Sequence, residues 1–220
     1  MSAYFSLTFE VNKTYNVIKN FYNALINSGL IFKSGYFESK DDTYEDIVEW
    51  NQKKLDDDFV LGYKEHCSND YKQLLFNYYD FSEVRLFIMN HREKSSFTFE
   101  LIVPEEDLIE YEKENTGNTE YKIAERMEYL KYLAKQVWMK DDVLAIQSGW
   151  ENSDVPPYAE EIEEGARPQL EPFCIINSLS NLKEPGWMFE STEKNGVFIE
   201  NTEHWYNKLD ELVICEDKDL

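Results

Sequence analysis

The spacing of apolar residues changes twice within the first 37 positions, and no other stretch constrains the fold so tightly. Phe5, Leu7, Phe9 and Val11 alternate with Ser6, Thr8 and Glu10, the two-residue repeat of a strand with one buried face. Val17, Ile18, Phe21, Leu25 and Ile26 then recur at helical spacing, with Asn12 available as a cap before them and Gly29 as a stop behind. Leu30 to Phe37 returns to strand character. The chain therefore opens as strand–helix–strand.

Thr43 to Leu55 reads as a second helix with Ile47, Trp50 and Leu55 inward. Asp41, Asp42, Glu45 and Asp46 crowd its start, where the helix dipole favours each anion by about 0.3–1 kcal/mol. Like-charge pairs such as Asp42 with Asp46 offset that gain. Gln73 to Tyr79, Glu83 to Asn90 and Ser96 to Val103 are rich in aromatic and β-branched residues. Their links are too short for parallel crossovers, so they predict an antiparallel meander. Pro104, followed by Glu105, Glu106 and Asp107, suits the first turn of a helix.

After a break at Asn115 to Asn118, Thr119 to Trp138 carries the longest helical pattern, with Ile123, Met127, Leu130, Leu133, Ala134 and Val137 inward. Val143 to Gln147 reads as a buried strand. Gly149 to Glu171 is the main irregular excursion, broken by Pro156, Pro157, Gly165 and Pro168. Phe173 to Ile176 is a strand, and Asn195-Gly196 between Trp187 to Ser191 and Val197 to Glu200 is a strong hairpin signal. A short helix at His204 to Leu209 and a strand at Leu212 to Cys215 close the pattern. The whole predicts an α+β fold, mainly antiparallel sheet with helices packed on one face. One domain spanning residues 1–220 is expected, with a subdivision near 139–150 as the alternative.

Charge decides which partners such a fold tolerates. Asp and Glu number 44 against 22 Lys and Arg, a formal charge of −22. So large an excess raises the question of disorder, and the 15% of aromatic residues answers it. Each ring buries a large apolar area at about 25 cal/mol per Å². The charge is uneven: from Asp141 to Leu220, nineteen acidic residues face Arg167, Lys183, Lys194, Lys208 and Lys218 alone.

This surface repels nucleic acid phosphate and anionic membrane. The four arginines, Arg85, Arg92, Arg126 and Arg167, are scattered and make no basic footprint. No basic segment leading into an apolar one opens the sequence, and no run reaches the length of a membrane span. Cys67, Cys174 and Cys215 form an odd, irregular set that fits reduced thiols better than a disulfide framework. The expectation is a soluble cytoplasmic protein.

Motifs that would name a reaction are missing. There is no phosphate loop, dinucleotide-binding turn, nucleophile elbow, zinc-ligand pair or calcium loop. His66 and Cys67 are adjacent, but neighbours in an extended segment point to opposite faces and form no dyad by themselves. His91 or His204 could complete one only through the fold. Glu203, His204, Asp210 and Glu211, and the run Asp56-Asp57-Asp58, could gather a hard cation, yet read more simply as solvated carboxylates. Neither a catalytic residue, a cofactor nor a metal is assigned. Among the tryptophans, Trp50 and Trp138 lie on apolar helical stripes and are expected in the core. Trp150, beside Gly149 in the irregular segment, is the one to test for exposure.

The functional expectation is a non-enzymatic acidic protein-binding domain that engages a basic protein. Its surface would draw on Trp150 and Tyr158 as anchors with Glu151, Asp154, Glu160, Glu161, Glu163 and Glu164 around them. In overall character (small, acidic, aromatic-rich, mixed α and β) the chain resembles the immunity proteins of bacterial toxin systems. That resemblance, one of composition, implies a cytoplasmic antagonist of a basic toxin or nuclease and transfers no site residue. The alternatives are a nucleic acid mimic with anti-defence activity, an enzyme with a dispersed carboxylate or metal site, and an acidic surface that serves solubility alone.

Overall fold

Tyr4–Asn12 forms the first strand, β1, and its alternation sets the two faces on which everything else packs. The computed structural model describes residues 3–60, 71–113, 119–123, 125–151, 153–177 and 186–201. After β1 come α1 (Val17–Asn27), β2 (Ile31–Gly35), α2 (Tyr44–Asp56), β3 (Leu74–Asn77), β4 (Val84–Asn90) and β5 (Ser96–Pro104). Then follow β6 (Ile109–Lys113), β7 (Thr119–Ile123), α3 (Arg126–Trp138), β8 (Val143–Trp150), α4 (Ala159–Glu163), β9 (Phe173–Asn177), β10 (Trp187–Ser191) and β11 (Gly196–Asn201). Nine strands make one sheet in the order β10-β11-β9-β8-β1-β5-β4-β3-β2, and β6 pairs with β7 separately. Every pairing in both sheets is antiparallel.

One face of the sheet carries the main core. Phe5, Leu7, Phe9 and Val11 of β1 meet Phe97, Phe99 and Leu101 of β5 and the buried stripes of α1, α2 and α3. Phe21 of α1 stacks flat on Phe99 with ring centroids 3.9 Å apart. α2 begins in a capping box: Asp46 N–H donates to Thr43 Oγ1 at 3.2 Å, and Thr43 N–H to the Asp46 carboxylate at 3.3 Å. The opposite face is covered only in part. There α4 lays Ile162 against Ala145, Cys174, Ile176 and Ile199, a second, smaller cluster over β8, β9 and β11.

Several expectations give way to tertiary structure. Asn12 does not cap α1: it stays in the β1 ladder opposite Ser96, and Asn16, with a left-handed φ of 56°, precedes the helix without a side-chain cap. Thr119 to Ile123 joins β7 rather than α3, since β6 offers it a ladder, so the helix starts at Arg126. Pro104 ends β5, and Glu105–Asp107 makes one 3-10 turn only.

Trp50 lies 41% exposed, because Ile47, Val48, Asn51 and Leu55 set the inward face of α2. Lys72 and Lys54 sit over its ring at 4.5 and 5.3 Å. Trp138 is fully buried, as expected. Trp150 is buried as well, because β8 runs on through it and its ring packs edge-on against Phe5. Among the described residues no helix is long and apolar enough to cross a membrane. His66, Cys67, Asn115 to Asn118, and the helix and strand expected from Glu203 onward lie outside the described residues.

Candidate functional site

Because α4 packs over β8, β9 and β11 and reaches β1 at Glu10, part of the same face over β1, β5 and β4 stays open. The result is a groove of about 560 Å³ walled by Trp150, Glu151, residues 153–156 and Tyr158. The strand registers fix its floor. Thr8 stands opposite Glu100, which stands opposite Phe87; one step along, Glu10, Thr98 and Met89 form the next row. Ser6, Ile102 and Arg85 form the row on the other side. Along β4 the core-facing residues are buried, while Arg85, Phe87 and Met89 are half-buried, as expected of a face no helix covers.

The wall is pinned at many points. Glu10, only 3% exposed, accepts from the Ser96 hydroxyl at 2.6 Å and from the Ala159 N–H at 2.5 Å. Gln147 Nε2 donates to Pro157 O at 2.7 Å and its Oε1 accepts from Gln169 N–H at 2.7 Å. Lys94 pairs with Glu160 and, at 3.4 Å, with Glu161, while its ammonium lies 4.8 Å from the Tyr158 ring centroid. Tyr4 N–H donates to Glu151 Oε2 at 3.1 Å.

These bonds sort the acids and aromatics expected at a partner surface. Trp150 belongs to the core. Tyr158 is half-buried between Lys94 and His91, its hydroxyl pushed up to about 12 by burial and then by the charge of Glu10. Glu160 serves Lys94, and Glu161 accepts from the Tyr158 N–H at 2.7 Å at the start of α4, with Lys94 at 3.4 Å. Asp154, on the groove rim, and Glu163 and Glu164, on α4 and just beyond it, remain exposed. Only Trp150, Glu151, Asp154 and Tyr158 of that set meet at the groove.

The residue that sequence reasoning did not single out is Glu100. Its half-buried carboxylate sits on the groove floor with no hydrogen bond or ion pair among the described residues. Burial alone pushes its pKa up. Glu10 is also pushed up by burial, but the Ser96 and Ala159 donors and Lys94 pull against that. Nearby, Gln73 Oε1 is buried without a hydrogen-bond partner. Arg85, the cation of the floor, lies 3.6 Å from Glu83, 4.6 Å from the Tyr36 ring centroid and 5.2 Å from that of Tyr4, which also lines the groove. The one signal for Glu100 was an acid at an alternating position in β5, which by itself reads as a solvated face.

In the other acidic run, Asp58 is already paired with cations. Asp58 is held by Lys13 at 3.0 Å, Asn90 at 3.1 Å and Arg92 at 3.5 Å. Burial raises its pKa, and these three partners outweigh that and hold it low. Among the described residues no three His, Cys, Asp or Glu side chains converge as metal ligands. Comparison of the chain with known protein families, curated proteins and solved structures finds no match.

Proposed function

We propose that this chain is a non-enzymatic binding protein whose acidic groove engages a basic protein, in the manner of a cytoplasmic antagonist that neutralises a cationic toxin or nuclease. The observation that carries this is Glu100, a largely desolvated carboxylate facing an open groove with no hydrogen bond or ion pair among the described residues. Glu151 and Asp154 add negative charge at the rim, and the formal charge of −22 speeds the approach of a basic partner.

Two other readings find less support on this face. A phosphate mimic needs acids in regular rows, whereas the floor rows read Thr8–Glu100–Phe87 and Glu10–Thr98–Met89. A paired-carboxylate enzyme needs two free acids, and both oxygens of Glu10 already accept protein donors.

The test is capture at low ionic strength on the immobilised wild-type chain and on a variant carrying Glu100→Gln, Glu151→Gln and Asp154→Asn. A basic protein held by the first, lost from the second and released by salt is the expected result. Equal capture on both sinks the proposal.

A further inference from the structure

We infer that the groove is built to receive one arginine side chain of the partner, with Glu100 as its counter-charge and the Phe87 ring as its platform. This rests on the basic-partner reading and narrows it from a charged surface to a single inserted residue.

Three features of the floor select the ligand. Glu100 and Phe87 are directly paired across β5 and β4, so a carboxylate and an aromatic ring lie side by side on the open face. Met89 and Ile102, one step to either side, give apolar contact for a methylene stem. Thr98 offers a hydroxyl acceptor, and the Gln73 carbonyl oxygen, buried and unpartnered, lies in the same lining. A guanidinium has five donors in a plane and stacks on aromatic rings, so it uses the carboxylate, neighbouring acceptors and ring together. An ammonium is a strongly hydrated point charge and gains less where solvent is partly excluded. The volume of about 560 Å³ admits such a side chain with part of its backbone.

The charges around the site agree. Glu151 and Asp154 stand at the rim, and Glu10 lies one diagonal step from Glu100; among the described residues Lys94 is paired with Glu160 and Glu161, while Arg85 shares the floor, 3.6 Å from Glu83 and over the Tyr4 and Tyr36 rings. An incoming cation finds Glu100 without an ion pair among the described residues, with Arg85 one row away on the floor.

Amide chemical shifts of the protein, titrated with N-acetyl-arginine amide, N-acetyl-lysine amide and N-acetyl-norleucine amide, test the inference. The arginine compound is expected to shift the amides of Thr8, Phe87, Met89 and Thr98 with saturation. Lysine should bind more weakly, and norleucine should leave them unmoved. Glu100→Gln should weaken arginine binding by about tenfold or more. Phe87→Leu, which keeps the charge, should erase the preference for arginine over lysine. The spectra themselves report that each variant is folded. Groove shifts that persist in Glu100→Gln, lysine binding equal to arginine, or shifts confined to other surfaces overturn the inference. If those occur while capture of a basic protein still depends on the groove acids, the wider proposal stands and only the inserted arginine fails.

Discussion

Glu10 and Glu100 are diagonal neighbours on the same face of the β1–β5 ladder, and among the described residues only Glu10 of the two has hydrogen-bond donors. Both carboxyls are pushed up by burial, yet their roles separate. Glu10 ties β1 to the start of α4 and so holds one wall of the groove. Glu100 ties nothing, and the fold would be more comfortable without its charge. Four consequences can be measured.

Glu10→Ala should destabilise the protein by about 1–3 kcal/mol, because the Ser96 hydroxyl and the Ala159 N–H lose their buried acceptor. Urea unfolding gives the magnitude. Hydrogen exchange should quicken at residues 158–163 more than in α1. Unchanged stability and exchange would show that Glu10 does not clamp the wall.

Glu100→Gln should stabilise the fold, on the order of 1 kcal/mol at neutral pH, since it removes an unbalanced, partly desolvated charge. The sign follows from linkage. A carboxyl whose pKa is higher folded than unfolded takes up its proton more readily in the native state. Stability on its account is therefore full below the ordinary glutamate range and falls as pH rises from there through the raised pKa. The gain from the substitution should be absent below that range and grow through it. A stability difference that shrinks as pH rises contradicts the assignment.

Gly196→Ala should cost about 1–3 kcal/mol, because a Cβ there would stand 2.5 Å from Trp138 Cζ2. Trp138 is locked in place: its Nε1–H donates to Lys194 O at 2.9 Å and to Thr192 Oγ1 at 3.0 Å. The ring therefore cannot retreat without breaking the β10–β11 turn. Thermal unfolding should show a midpoint lower by about 2–4 °C per kcal/mol. An unchanged midpoint would mean that the ring moves freely.

Glu163→Gln with Glu164→Gln should leave stability within about 0.5 kcal/mol, as both side chains are exposed and make no hydrogen bond or ion pair among the described residues. Neutralising Glu160 and Glu161 instead strips Lys94 of its partners, weakens the acceptor of the Tyr158 N–H at the start of α4, and should loosen the wall, seen as faster hydrogen exchange at residues 158–163. Equal effects of the two pairs would remove the distinction between structural and free acids.

Local pattern was legible in the sequence wherever one face of a strand or helix is dry and the other wet. The alternation in β1 and β5, the stripes of α1 and α3, the meander and the Asn195-Gly196 hairpin all follow from spacing and turn chemistry. The open face was not legible, because it depends on β8 and β9 falling beside β1 and so drawing α4 to one half of the sheet. Trp50 and Trp150 were misjudged for related reasons. A stripe does not fix its own phase to within one residue, and a glycine does not end a strand that has partners on both sides. Glu160 and Glu161 likewise looked free until Lys94, far earlier in the chain, came to meet them.

The most direct measurement is the dissociation constant of the captured basic partner, followed against salt, for wild type, Glu100→Gln and the pair Glu163→Gln with Glu164→Gln. A charge contact made inside the groove is poorly screened, whereas exposed acids act through the solvent. Glu100→Gln should therefore weaken binding by about tenfold or more at every salt concentration. The Glu163 and Glu164 changes should matter at low salt only. If Glu100→Gln follows the salt dependence of the surface pair, the groove is not where the partner's charge is bound.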